Sequence, residues 1–232
     1  MATARGIRLR RLLHVPVCVL ALGASLQCFA AALAVNVLDE RGQPIDSVAV
    51  YAMPSERPPR AAGTAAFAAQ PTAIMDQANN AFVPHLLVVQ TGTSVLFPNN
   101  DSVSHHVYSF SEAKTFELGL YKGDAYPPVR FETPGVVVLG CNIHDSMLGY
   151  IVVVDTPHFA LTDDHGAATL HGLAPGEYTV EIWSPRARPS SLPAGSRVAV
   201  ASAGKMAVTF RLQGKLLPAH DHGETGLSWE RY

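Results

Sequence analysis

The sequence predicts an all-β protein made of two β-sandwiches, and three observations predict it. Short runs rich in Val, Ile, Phe and Tyr recur at 34–38, 48–52, 86–90, 94–97, 106–110, 116–120, 129–132, 135–139, 150–155, 178–183, 198–201 and 206–212. Runs of this length and composition read as strands. Turn chemistry separates them: Arg41-Gly42, Thr91-Gly92, Pro98-Asn99-Asn100-Asp101, Pro134-Gly135 and Pro175-Gly176. Gly supplies positive φ, Pro presets φ, and Asn or Asp caps its own backbone, so each pair marks a chain reversal. Beyond the N-terminal segment no stretch keeps a helical period over three turns. Many short strands at this spacing build a sandwich or a barrel.

Residues 1–34 read as a secretory signal peptide. Arg5, Arg8, Arg10 and Arg11 give a positive start, an apolar run covers 12–29, and Ala30, Ala31, Ala32 and Ala34 offer small-residue cleavage sites. A retained membrane anchor is the alternative. His14, Pro16 and Gln27 interrupt the run and weigh against it. The expected location is therefore the periplasm, with a mature chain starting near Leu33 or Val35 and having no membrane span. Of 17 basic and 19 acidic residues, the leader takes four arginines and leaves a net charge of −6. That balance argues against a nucleic-acid partner, which would demand neutralised phosphates. It suits a basic redox partner protein and equally suits solubility. Cys18 and Cys28 lie in the leader, so Cys141 is the one thiol left and no internal disulfide can form. A lone thiol in an oxidising compartment needs burial, an external partner or a metal.

Residues 55–71 (SERPPRAAGTAAFAAQP) are rich in Pro and Ala and read as a linker, and 215–232 is a polar tail expected to be mobile. The stretches on either side of the middle look like halves of one unit. VNVLDERGQPIDSVAVYA (35–52) is strand, acidic Gly turn, strand; TDDHGAATLHGLAPGEYTVEIW (162–183) repeats the acidic turn and ends in a Tyr-bearing strand. Together they resemble the carboxypeptidase regulatory-like (transthyretin-type) β-sandwich, in which such elements run consecutively. The expectation is a sandwich from 35–54 plus 157–214, split by a domain of residues 72–156. Inserting at a loop costs little closure entropy. Tandem order, with 35–54 lending strands to the middle domain, is the alternative.

The chemistry concentrates in GVVVLGCNIHDSMLGYIVVV (135–154), where a β-run ends at Cys141 and a short loop supplies His144 and Met147 before the next run. Upstream, LFPNNDSVSHHVYSF (96–110) puts His105 and His106 at a strand start. Thiolate and thioether are soft donors and imidazole is borderline. Two imidazoles, a thiolate and a weak axial Met are the donors of blue-copper electron-transfer sites. Structural zinc seldom needs a thioether, and an iron–sulfur cluster needs more cysteines than one. No Ser-His-Asp set, nucleotide loop or catalytic carboxylate pair is found, so an enzyme is not expected. The pair His220/His222 in the tail and the Asp163-Asp164-His165 turn read as solvated segments.

FVPHLLVVQTGTSVLFPNND (82–101), the HHV strand start and the CNIHDSM loop resemble the cupredoxin family, with amicyanin-like loop spacing. The arrangement is also similar to exported proteins labelled methylamine-utilisation or plastocyanin-like. The resemblance implies a cupredoxin Greek-key β-sandwich beside the regulatory-like one. It also implies one type 1 copper per chain, held by His105, Cys141, His144 and Met147. His106 is the rival to His105, because the strand pleat allows only one of them to face the site. Cupredoxins often carry Pro where this chain has Ile143, which keeps an N–H two residues after the sulfur. One-electron transfer by a monomer follows from the resemblance. Copper handling, as a chaperone or store, is the alternative, and a non-catalytic β-sandwich binding module is a third reading.

Overall fold

The computed structural model describes residues 31–56, 72–201 and 205–218. Seventeen strands run along the described residues. They are β1 (Ala31–Leu38), β2 (Ala49–Pro54), β3 (Ala73–Ile74), β4 (Asp76–Ala78), β5 (Ala81–Val83), β6 (Leu86–Gln90), β7 (Thr93–Leu96), β8 (His105–Ser111) and β9 (Lys114–Tyr121). There follow β10 (Val129–Phe131), β11 (Gly135–Cys141), β12 (Leu148–Val154), β13 (Phe159–Leu161), β14 (Ala167–Leu173), β15 (Gly176–Trp183), β16 (Ser196–Val200) and β17 (Lys205–Arg211). One 3-10 turn, Pro189–Ser191, is the helical element among the described residues.

The outer strands of the sequence share one sandwich. Sheet β14-β1-β17 faces sheet β13-β2-β15-β16, so β1 and β2 pair with strands more than a hundred residues away. Leu33, Val35 and Val37 alternate inward along β1 and pack with Val50, Leu170, Val180 and Phe210 in one core. Thr162 locks the two halves together. Its buried hydroxyl donates to Ile45 O at 2.8 Å and accepts the Val48 N–H at 2.9 Å. Two acidic turns also recur at equivalent places. Asp39 Oδ1 accepts the N–H groups of Arg41 and Gln43, and Asp163 Oδ1 those of His165 and Ala167. Gly166, at φ +68, sits so close to Val37 O that a Cβ would lie 2.5 Å from it. Only glycine fits that turn.

Residues 73–154 form a second sandwich. Sheet β6-β12-β11-β8-β9 packs over sheet β10-β7-β3, and hairpin β4-β5 closes one side. The chain crosses between sheets from β6 to β7 and from β7 to β8, and again around β10, so β8 lies beside β11: a Greek key. Its core includes Phe82, Val95, Val107, Phe131, Leu139, Ile151 and, at one end, Cys141 and Met147.

β12 is buried on both faces. Ile151 and Val153 enter the second core, while Val152 and Val154 meet Ala49, Leu86 and Val88, with Tyr51, Tyr150 and Trp183 around them. The second sandwich therefore leans its five-stranded sheet on β2 and β15 of the first. At about 1.5–3 kcal/mol for each fully buried Val or Leu, this contact stabilises the pair of sandwiches as a unit.

Two boundaries differ from the sequence reading. β1 begins at Ala31, ahead of the expected leader boundary at 34, with Ala31 opposite Leu173 and Leu33 fully buried. The cause is its central position: pairing with β14 on one side and β17 on the other draws small Ala residues into the sheet. The tail reading is also corrected at its start. Leu216 packs on the first core, and Leu217 N–H donates to Arg186 O at 2.8 Å, so 215–218 are docked. Residues 1–30, most of the linker (57–71) and the tail from 219, including His220 and His222, lie outside the described residues.

Candidate metal centre

Three candidate ligands meet at one rim of the second sandwich. β8 alternates, sending His105, Val107 and Ser109 inward, and β11 sends Val137, Leu139 and Cys141 inward. Cys141 stands opposite Val107 in the antiparallel ladder. His105 is two residues from Val107 and on the same face, which makes it the diagonal neighbour of Cys141. Beyond Cys141 the chain turns tightly. Asn142 N–H donates to His106 O at 3.0 Å, and Met147 N–H donates back to His144 O at 2.9 Å. The turn lifts His144 over the sulfur and drops Met147 into the core.

The resulting distances suit a single ion. Cys141 Sγ is 3.6 Å from His105 Nδ1 and 3.9 Å from His144 Nδ1, and the two rings lie 4.9 Å apart between centroids. All three donor atoms fall within 4.8 Å of one another. A nitrogen and a sulfur at roughly 2.0 and 2.3 Å from a first-row ion, about 120° apart, would be separated by about 3.7 Å. The thiol is free and buried, His105 is fully buried, and His144 is half-buried. Met147 is buried in the same core cluster as Cys141.

His106 points the other way. It is half-exposed, and its Nε2 lies 2.8 Å from Glu117 Oε1. The pleat separates the adjacent histidines, and the inward one is His105.

No protein-family model matches the chain, and no curated protein matches it. Among solved structures it is similar to a purple cupredoxin from Nitrosopumilus maritimus, 25% identical, covering 36% of this chain and 98% of that one with a TM-score of 0.31. It is also similar to a Cu-containing nitrite reductase from Thermus scotoductus SA-01, 24% identical, covering 37% of this chain and 23% of that one with a TM-score of 0.35. A reduced amicyanin variant is 23% identical, and the match covers 45% of this chain and 99% of that one with a TM-score of 0.33.

Two further residues support the rim, and the sequence reading gave neither a role. Asp101, in the loop before β8, places Oδ2 3.0 Å from His105 Nε2. Burial works to raise its pKa, but the Asn80 N–H, the His105 ring and the Ser102 N–H hold the carboxyl down at about 2. It sits four residues before His105, and that spacing was the available signal. His85 donates Nδ1–H to Leu148 O at 3.0 Å and so pins the chain directly after Met147. The Asp163-Asp164-His165 segment is an exposed turn, as its composition implies. Tyr178 is core, and Trp183 belongs to the contact between sandwiches.

Proposed function

We propose that this chain is an exported type 1 copper protein that carries one electron, with His105, Cys141, His144 and Met147 as ligands to one ion. The observation that supports it is the convergence of two imidazole nitrogens on one buried, unpaired thiol. Copper, when bound, supplies a one-electron couple for which thiolate, thioether and imidazole are fitting donors. The chain's own residues do the rest. β8 and β11 hold His105 and Cys141 on a hydrogen-bonded ladder, so their donor atoms move little. The core around Val107, Leu139 and Met147 keeps water from the sulfur. His144 lies between that sulfur and solvent, and it is the side chain a redox partner protein meets first. One thiol and one donor cluster lie among the described residues, which gives a single carrier site for the electron.

Copper loading tests this. The purified, reduced protein should bind one copper per chain and, once oxidised, show an intense visible thiolate-to-Cu(II) band with the matching EPR spectrum. Cys141→Ser should abolish the band without unfolding the protein. A folded wild type that stays colourless and releases the ion would end the proposal. Loss of the ion at each reduction would shift the role to copper handling.

A further inference from the structure

Asp101 lies outside the proposed ligand set, yet it is tied to it more firmly than a loop residue needs to be. Its Oδ2 lies 3.0 Å from His105 Nε2 and accepts the Asn80 N–H at 2.7 Å, while Oδ1 accepts the Ser102 N–H at 2.6 Å. Its own N–H donates to Asn99 Oδ1 at 3.0 Å. Asn99, 2% exposed, in turn donates from Nδ2 to Val103 O at 3.0 Å and to Tyr121 O at 2.8 Å. Asn79 and Asn80, at φ +53 and +56, form the tip of the β4-β5 hairpin that aims the Asn80 N–H at the carboxylate. The carboxylate is thus oriented by backbone and by a buried amide before the imidazole is counted.

An ionised carboxylate only accepts, so Nε2 of His105 must carry the proton and donate it. In the neutral ring the lone pair is then on Nδ1, the nitrogen 3.6 Å from Cys141 Sγ. The His105 side chain is 0% exposed and that of Asp101 7%. We infer, on the strength of the type 1 copper reading, that Asp101 is a positioning residue that fixes the metal-binding tautomer of His105 and sets the redox poise of the site. A fixed negative charge behind the imidazole makes Nδ1 a stronger donor and favours the more highly charged Cu(II) over Cu(I).

Asp101→Asn keeps the shape and an acceptor oxygen but removes the charge. Its preference for Cu(II) over Cu(I) should fall about tenfold, which raises the midpoint potential by about 59 mV. Asp101→Glu, which restores the charge, should return the potential towards wild type. In the copper-free protein, the His105 Nε2–H should give a slowly exchanging, low-field proton NMR signal in wild type that moves upfield in Asp101→Asn. An unchanged potential in a folded, copper-loaded Asp101→Asn variant would overturn the inference while leaving the copper reading intact. If wild type fails to bind copper, the copper reading fails instead. The NMR arm still decides the tautomer: absence of the Nε2–H signal refutes it.

Discussion

His105 and His144 bring their Nδ1 atoms to 3.6 and 3.9 Å from the same sulfur, but from different kinds of backbone. His105 opens β8, is sealed from solvent, and has a carboxylate behind its ring. His144 rides a turn between β11 and β12, closed by one backbone hydrogen bond to Met147, and is partly exposed. One side of the centre is a wall and the other a door. Strand pairing fixes the wall before any metal arrives, whereas the door depends on a few local contacts and faces the medium.

The largest effect should come from removing each imidazole in turn. His105→Ala leaves a sealed cavity and takes a donor from Asp101. It should destabilise the copper-free fold by about 2–4 kcal/mol, and added imidazole should not restore the visible band. His144→Ala should cost under about 1 kcal/mol, and external imidazole should bring the band back. Thermal melts and imidazole titrations measure both. Identical behaviour of the two variants would erase the distinction between wall and door.

Two glycines sharpen the comparison at a smaller scale. Gly149 follows Met147 and Leu148, and a Cβ there would lie 2.8 Å from Phe82 Cβ and 2.9 Å from its ring. Phe82 is fully buried and cannot withdraw. Gly149→Ala should therefore cost about 1–3 kcal/mol by overpacking and should disturb the Met147 side of the site. Gly140 precedes Cys141, and its missing Cβ would meet the far end of the Tyr108 ring, at 2.8 Å from Cζ. Tyr108 is only half-buried and can swing away. Gly140→Ala should cost less, and chemical denaturation of the two variants ranks them. A larger loss at Gly140 would mean that Tyr108 is held on the sheet as firmly as Phe82 is held in the core.

Much of this asymmetry can be read from the chain alone. Alternation along HHVYSF puts one histidine on each face of β8, and the pattern identifies the pleat without naming the inward member; β11 packing against β8 does that. The run YIVVV reads as a strand, and β12 is one; its burial on both faces comes from the second sandwich resting on the first. The short strands β3, β4 and β5 were not legible. Two or three residues carry no period, and Asp76-Gln77-Ala78 has no strand-forming composition. Asp101 was hidden for a similar reason. In NNDS a carboxylate reads as turn chemistry, and its aim at His105 depends on an Asn80 N–H brought from a hairpin twenty-one residues away. Ala31 to Ala34 read as a cleavage region because small residues suit one. Only the pairing of β1 with β14 and β17, supplied from the far end of the chain, makes them strand.

The smallest predicted effect acts on the sulfur from the loop side. Ile143 follows Cys141 by two residues, is 48% exposed, and keeps a backbone N–H that proline would lack. A donor near the thiolate draws off electron density and favours Cu(I), which raises the potential. Ile143→Pro should therefore lower the midpoint potential, by less than the roughly 59 mV that a tenfold change in relative affinity represents. Voltammetry of the two proteins measures it, and an equal or higher potential in the proline variant would contradict the argument. Asp101→Asn acts in the opposite direction through the wall, on the imidazole rather than the sulfur. If wall and door tune the ion separately, the double variant's shift should be the sum of the two single shifts. A clear departure from that sum would mean that the strand side and the loop side move together.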